Sequence, residues 1–184
     1  MRTFLHILAV LPGALVRWIA RGMQVRAERR RARAHGCVLH VALSGVMAPA
    51  IDVGDFVHVE PMGAGHRPPD RGEIVAYRHV AHDGAIVFMR VAGIAGDTVE
   101  LRDGELFVND LRKDEPMAQV GNPANPYSRT FAKTTVPAGA LFVLGDSRDT
   151  ADDSRNRGPV PLEDVVGRAV LARSPTGAAA RPLG

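Results

Sequence analysis

The sequence predicts a mainly β domain, an antiparallel sheet folded over on itself or a partly open barrel, preceded by an apolar-basic helix. Three observations predict it. Short valine-rich stretches recur from Cys37 onward, several of them alternating and most bounded by Gly, Pro, Asp or Asn. Nineteen glycines and thirteen prolines are spread along 184 residues, which suits turns between short strands and not a helical bundle. The charge is uneven: Arg17, Arg21, Arg26, Arg29, Arg30, Arg31 and Arg33 crowd one stretch with Glu28 as its only acid, while acids and bases nearly balance from Cys37 on.

The elements follow in order. Residues 3–20, TFLHILAVLPGALVRWIA, are the most apolar segment, but His6, Pro12-Gly13 and Arg17 interrupt them. The clean apolar run is therefore short of the ~20 residues that a full span needs. An arginine precedes the apolar core as in a secretory leader, yet no convincing small-x-small site follows, because the arginines begin at once. The segment reads as a short or interfacial anchor, with Arg17, Arg21 and Trp18 at head-group level. Residues 1–36 are thus expected to associate with a membrane. An arginine block beside an apolar one suits anionic lipid, and Trp18 alone interleaves with it, which argues against nucleic acid as a partner.

Residues 37–173 are expected to form the β domain. CVLHVAL, DFVHVE, EIVAYRHV, AIVFMRVAGI, DTVELRDGELFVND, ALFVLGD and VVGRAVLAR are its strand candidates, and Asp103-Gly104 between TVEL and LFVN signals a hairpin. Arg112 to Ala132 is polar, contains NPANPY and reads as a long inserted loop. Residues 174–184, SPTGAAARPLG, are expected to be a disordered tail. Cys37 is the only cysteine, which excludes an internal disulfide, and no Cys/His spacing suggests zinc, so neither metal nor cofactor is expected. His40, His58, His79 and His82 read as ordinary surface or core histidines. Asp97, after Gly96, reads as a turn cap.

Four stretches occur in a telling order: SGVMAPAIDVGDFVHV, RGEIVAY, FMRVAGIAGDTVELRDGELFVND and LGDSRDTADDSRNRGPVPLEDVVGRAV. Together, over about Leu43 to Val170, they resemble the bacterial signal peptidase I family. The resemblance implies a β-rich fold that cuts signal peptides from exported proteins at the outer membrane-water interface. It also implies a serine nucleophile, a neutral lysine as general base and a second serine that orients the lysine. Such a lysine works only where burial depresses its pKa.

Carried over residue by residue, this chemistry is missing. The nucleophile position is Val46, the base position is Met89, and the base-orienting position is Ala151. Lys113 and Lys133 are the only lysines, and both lie in the polar loop region. Replacing a buried lysine and its hydroxyl partners together leaves an apolar pocket, where a single loss would strand a partner. The rest of the pattern remains. Ser44 stands where the family supplies an oxyanion-hole hydroxyl, and the Val46 N–H is a second expected donor. Gly45, Met47 and Pro49 match the turn that shapes the substrate groove. Asp146, Arg148, Asp153, Ser154 and Arg155, with Arg90, are expected to brace the loops beside the site.

Three readings follow. The first is a non-catalytic signal-peptidase relative whose groove binds signal-peptide-like segments of exported precursors. The second is an active serine endopeptidase using Ser44 or an unrecognised base. The third is a membrane-associated structural protein, for instance a partner of an active peptidase. The resemblance puts the domain on the outer face of a bacterial cytoplasmic membrane, whereas arginines after an apolar run favour the inner side.

Overall fold

The computed structural model describes residues 13–63, 67–79, 83–122, 124–177 and 179–183, with side chains from Ala20 onward. Helix α1 (Gly13–Ala34) runs through the arginine block, which is rich in the good helix formers Arg and Ala. It ends where the Gly36 and Cys37 N–H groups donate back to Arg33 and Ala32 at 3.1 and 2.9 Å. Its last turns bury Glu28 and Ala32 against the β domain. The Glu28 carboxylate there meets His58 Nε2 at 3.2 Å and Arg173 Nε at 3.5 Å, and pairs with Arg31. Among the described residues no helix is long and apolar enough to cross a membrane. The expected head-group positions of Arg17 and Trp18 lie outside the described side chains.

The strands are β1 (Val38–Val41), β2 (Phe56–Pro61), β3 (Ile74–His79), β4 (Ala85–Gly93), β5 (Thr98–Arg102), β6 (Glu105–Val108), β7 (Leu111–Arg112), β8 (Phe131–Thr135), β9 (Ala140–Leu144), β10 (Val160–Pro161), β11 (Val165–Arg173) and β12 (Arg181–Pro182). They build two open sheets. The larger runs β1-β2-β11-β3-β4-β9-β10, with β12 added along β11; the smaller runs β7-β6-β5-β8. All of these strand pairs are antiparallel. The architecture is therefore mainly β and unclosed, of the folded-over kind the sequence predicts.

The period-two pattern decides which core each residue enters. On β9 every residue is buried, with Leu141 and Val143 in the main core and Phe142 and Leu144 in the core of the small sheet. Phe131 packs on Phe142 with ring centroids 5.2 Å apart. The hairpin signal is met: Arg102 pairs with Glu105, and Asp103 and Gly104 both take positive φ, 52° and 88°, as a two-residue turn requires.

The polar run from Arg112 to Ala132 is the expected long connection between strands, but it is not loop throughout. It closes β7, forms the short helix α2 (Pro126–Arg129) and opens β8, and the Asp149 carboxylate holds it by accepting from the N–H groups of Gly121 and Asn122 at 2.7 and 2.9 Å. Nor is the tail disordered where it is described. Arg181 and Pro182 pair with Ala172 and Leu171, Leu183 is buried, and Arg181 ion-pairs with the buried Asp55.

Candidate functional site

The loop after β1 owes its shape to two apolar anchors. Met47 and Ile51 are fully buried, and the Ile51 N–H donates to the Met47 carbonyl at 2.8 Å, one helical turn apart. Between them the chain turns sharply, with Ala48 N–H bonded to Gly45 O at 3.0 Å and a cis Ala48–Pro49 peptide. Ser44 and Pro49 remain exposed and Val46 is half-buried. Ser44 Oγ accepts from the Val46 N–H at 3.3 Å, so the expected oxyanion donor is engaged with its own neighbour.

Val46, Met89 and Ala151 come from three separate segments and converge at Gly145. A Cβ at residue 145 would collide with the Ala151 methyl and would lie 3.2 Å from Val46 O and 3.4 Å from Met89 Sδ. Glycine is required there by close approach. The Ser147 N–H donates to Val46 O at 2.9 Å, tying the two loops together. Met89 and Ala151 are buried, both belong to the main core, and Val46 packs against it. The centre holds no ionisable group among these three residues.

Beside them opens a cleft of about 470 Å³. Leu43, Val46, Met47, Ile86, Phe88 and Met89 line it with apolar surface, and Ser44, Thr150, His79 and Asp152 supply its polar groups. His79 Nε2 stands 3.9 Å from Asp152 Oδ2. Arg157 donates to Asp152 at 2.8–3.0 Å and so holds the Asp152 carboxyl below the usual carboxylate range. The sequence alone gives no reason to single out Asp152 or Thr150, and it makes His79 an ordinary histidine. Spacing gave no signal, because His79 and Asp152 are 73 positions apart and meet only through the fold. His82 lies outside the described residues. Neither lysine reaches the centre: Lys133 is on β8 and pairs with Asp110, and Lys113 lines a separate cleft of about 290 Å³ with Arg71, Arg90 and Asp146.

Behind the centre lies a dense charged frame. Arg90 on β4 donates through Nε and Nη2 to both oxygens of Asp146 at 2.8 and 2.7 Å, and through Nη1 to Gly72 O at 2.8 Å. Asp153 caps the short helix α3 (Ser154–Arg157), accepts the Gly145 N–H at 3.0 Å and takes a two-pronged bond from Arg155 at 2.9 and 2.8 Å. Arg155 in turn donates to the carbonyls of Tyr127 and Arg148 and lies 4.0 Å over the Tyr127 ring. Ser154 Oγ accepts from Val143 N–H at 2.9 Å. Arg148, 1% exposed, donates to Gly145 O at 2.9 Å and to Glu115. These planar, two-pronged contacts fix backbone direction as well as charge. Asp97 caps its turn by accepting from Ile94 N–H at 2.9 Å. Burial alone would raise its pKa, but bonds from Arg71, Ile94 and Asn109 outweigh burial and bring it down to about 2.

The loop after β1, strand β4 and the segment after β9 are thus held together at one point, Gly145. The sequence matches the signal peptidase, peptidase S26, family over residues 36–173, and the chain belongs to that family. Thylakoidal processing peptidase 1 (chloroplastic) of Arabidopsis thaliana is 36% identical over 135 residues, covering 68% of this chain and 38% of that protein. Signal peptidase I of Leptolyngbya laminosa is 30% identical over 133 residues, covering 68% and 63%. A solved signal peptidase I from Enterococcus faecalis aligns with 55% of this chain and 97% of its own, at 30% identity and a TM-score of 0.45. The chain spans less than two thirds of the length of the two named sequence relatives.

Proposed function

We propose that this protein is a non-cleaving member of the signal peptidase family that holds extended, signal-peptide-like segments of exported precursors in the cleft beside Val46. Residues 1–36 associate it with a membrane surface, residues 37–173 form the binding domain, and the domain faces the outer side. The observation that carries this reading is the meeting of Val46, Met89 and Ala151 at Gly145. A carbonyl delivered there finds no hydroxyl at position 46 and no amine at position 89 to take a proton. A thioether is only a weak acceptor. Binding needs less: strand-like backbone pairing supplies affinity, and the apolar lining selects small side chains.

Two measurements test it. Purified protein should leave a fluorogenic Ala-x-Ala peptide uncut and should give binding heat with a signal-peptide C-region in titration calorimetry. Turnover abolished by Ser44→Ala overturns the reading. Absence of heat up to millimolar peptide favours a structural role, such as partnering an active peptidase. One feature favours the active alternative: His79 and Asp152 line the same cleft as Ser44 and are the titratable side chains in its lining. Turnover lost in both Ser44→Ala and His79→Ala would identify that pair.

A further inference from the structure

Helix α1 has two unlike faces. Glu28 and Ala32, one turn apart, are buried against β1 and β2. Arg26, Arg29, Arg30 and Arg33 follow the i, i+3, i+4, i+7 spacing, which gathers them on the face pointing away, and all four are exposed. Like charges at this spacing destabilise an isolated helix. No acid relieves them: Glu28 is the only acid of the helix, and it is turned inward onto His58, Arg31 and Arg173. Among the described residues none of the four makes an ion pair.

The rest of the chain has the opposite sign. Residues 1–36 hold eight arginines against one glutamate, whereas from Cys37 onward nineteen acids face fifteen lysines and arginines. An anionic surface would attract the helix and repel the domain.

We infer that the outward arginine stripe Arg26-Arg29-Arg30-Arg33 is a docking surface for anionic phospholipid head groups, and that the Glu28 contact with His58 and Arg173 transmits that docking to the β domain as a fixed orientation. The inference rests on the proposed membrane association and adds to it which surface meets the lipid and which pose results. The helix lies between bilayer and domain, and the domain's acidic excess keeps the sheets off the surface. Lipid is a better fit than nucleic acid, because no aromatic side chain stands among these four arginines to stack on bases.

The test is sedimentation of the full chain with two vesicles: phosphatidylcholine alone, and phosphatidylcholine with one third phosphatidylglycerol. The ratio of the two partition constants isolates the charge contribution from that of the apolar residues 3–20. The expected ratio is roughly a hundred at low salt, falling steeply with added salt, and at least about tenfold smaller in the Arg26→Gln/Arg29→Gln/Arg30→Gln/Arg33→Gln protein, which keeps Arg17 and Arg21. Glutamine keeps helix propensity, so circular dichroism should be unchanged. The Arg102→Gln/Arg112→Gln protein, which removes exposed charge from the small sheet, should keep the wild-type ratio. A wild-type ratio near one with strong binding to both vesicles overturns the stripe and leaves membrane association standing. No partitioning onto either vesicle overturns both. A quadruple variant with an undiminished ratio overturns the stripe, as does a duplex oligonucleotide that strips the wild-type protein from anionic vesicles.

Discussion

Two regions meet at Gly145 and differ in kind. On one side, Val46, Met89 and Ala151 form an apolar centre with no group that donates or takes a proton among them. On the other, Asp153, Arg155, Arg148, Arg90 and Asp146 form a frame in which most polar groups have a partner. Met89 and Ala151 enter the centre by their side chains and Val46 also by its carbonyl, and the three side chains are apolar and need no polar partner. The frame holds main-chain atoms, including both the N–H and the C=O of Gly145. Losing one of its members would strand a buried charge, the most expensive kind of substitution. Chemistry at this site is therefore separable from shape.

That separation is open to attack, and the largest effect should come from restoring the centre. Val46→Ser/Met89→Lys/Ala151→Ser is expected to cleave the Ala-x-Ala peptide about 10²–10⁴-fold faster than Val46→Ser alone, the usual contribution of a positioned general base. Its rate should rise with pH as the buried lysine loses its proton. Equal rates in the triple and single variants would show that the frame no longer shapes a working site. Next is the frame itself. Asp153→Ala leaves Arg155 buried and unpaired and frees the Gly145 N–H; it should cost about 3–5 kcal/mol in urea unfolding, against about 1 kcal/mol for Ala151→Ser.

A smaller effect is expected at Asp97, which braces the turn between β4 and β5. Its folded pKa of about 2 lies below the ordinary value, so its stabilisation is present above about pH 4 and is lost as pH falls from 4 towards 2. Asp97→Asn should remove about 2 kcal/mol at pH 7 and flatten that acid limb. The smallest is at Arg181. It donates to Asp55, whose carboxylate also accepts the Asp52 N–H at 3.0 Å, and so reaches the loop that carries Val46. Arg181→Gln should cost about 1 kcal/mol and speed amide exchange at Asp52, with little change at β9.

Most of the large sheet was legible because its strands are valine-rich and bounded by turn residues. The hairpin was legible because Asp-Gly supplies the two positive φ angles. Strand β8 was not, because Ala132, Lys133 and Thr135 are exposed and the stretch reads as polar. The tail strand was missed for a related reason: two residues, Arg181 and Pro182, carry no periodicity, and the contact that orders them is an ion pair 126 positions away. At the site, motif order singled out Val46, Met89 and Ala151, which the fold brings together at Gly145. It did not reveal Asp149, which lies inside the last motif yet acts on the distant segment around Gly121 and Asn122. Nor did it reveal Glu28, which looked like a lone acid diluted among arginines and proves to be buried.

Strand β9 carries a mechanical consequence of its own. Because alternate residues of one strand wall two different interiors, neither sheet owns a complete boundary, and melting either would uncover the other. Heat or denaturant should meet a single cooperative unit, in which the small sheet has no separate existence as a removable ornament.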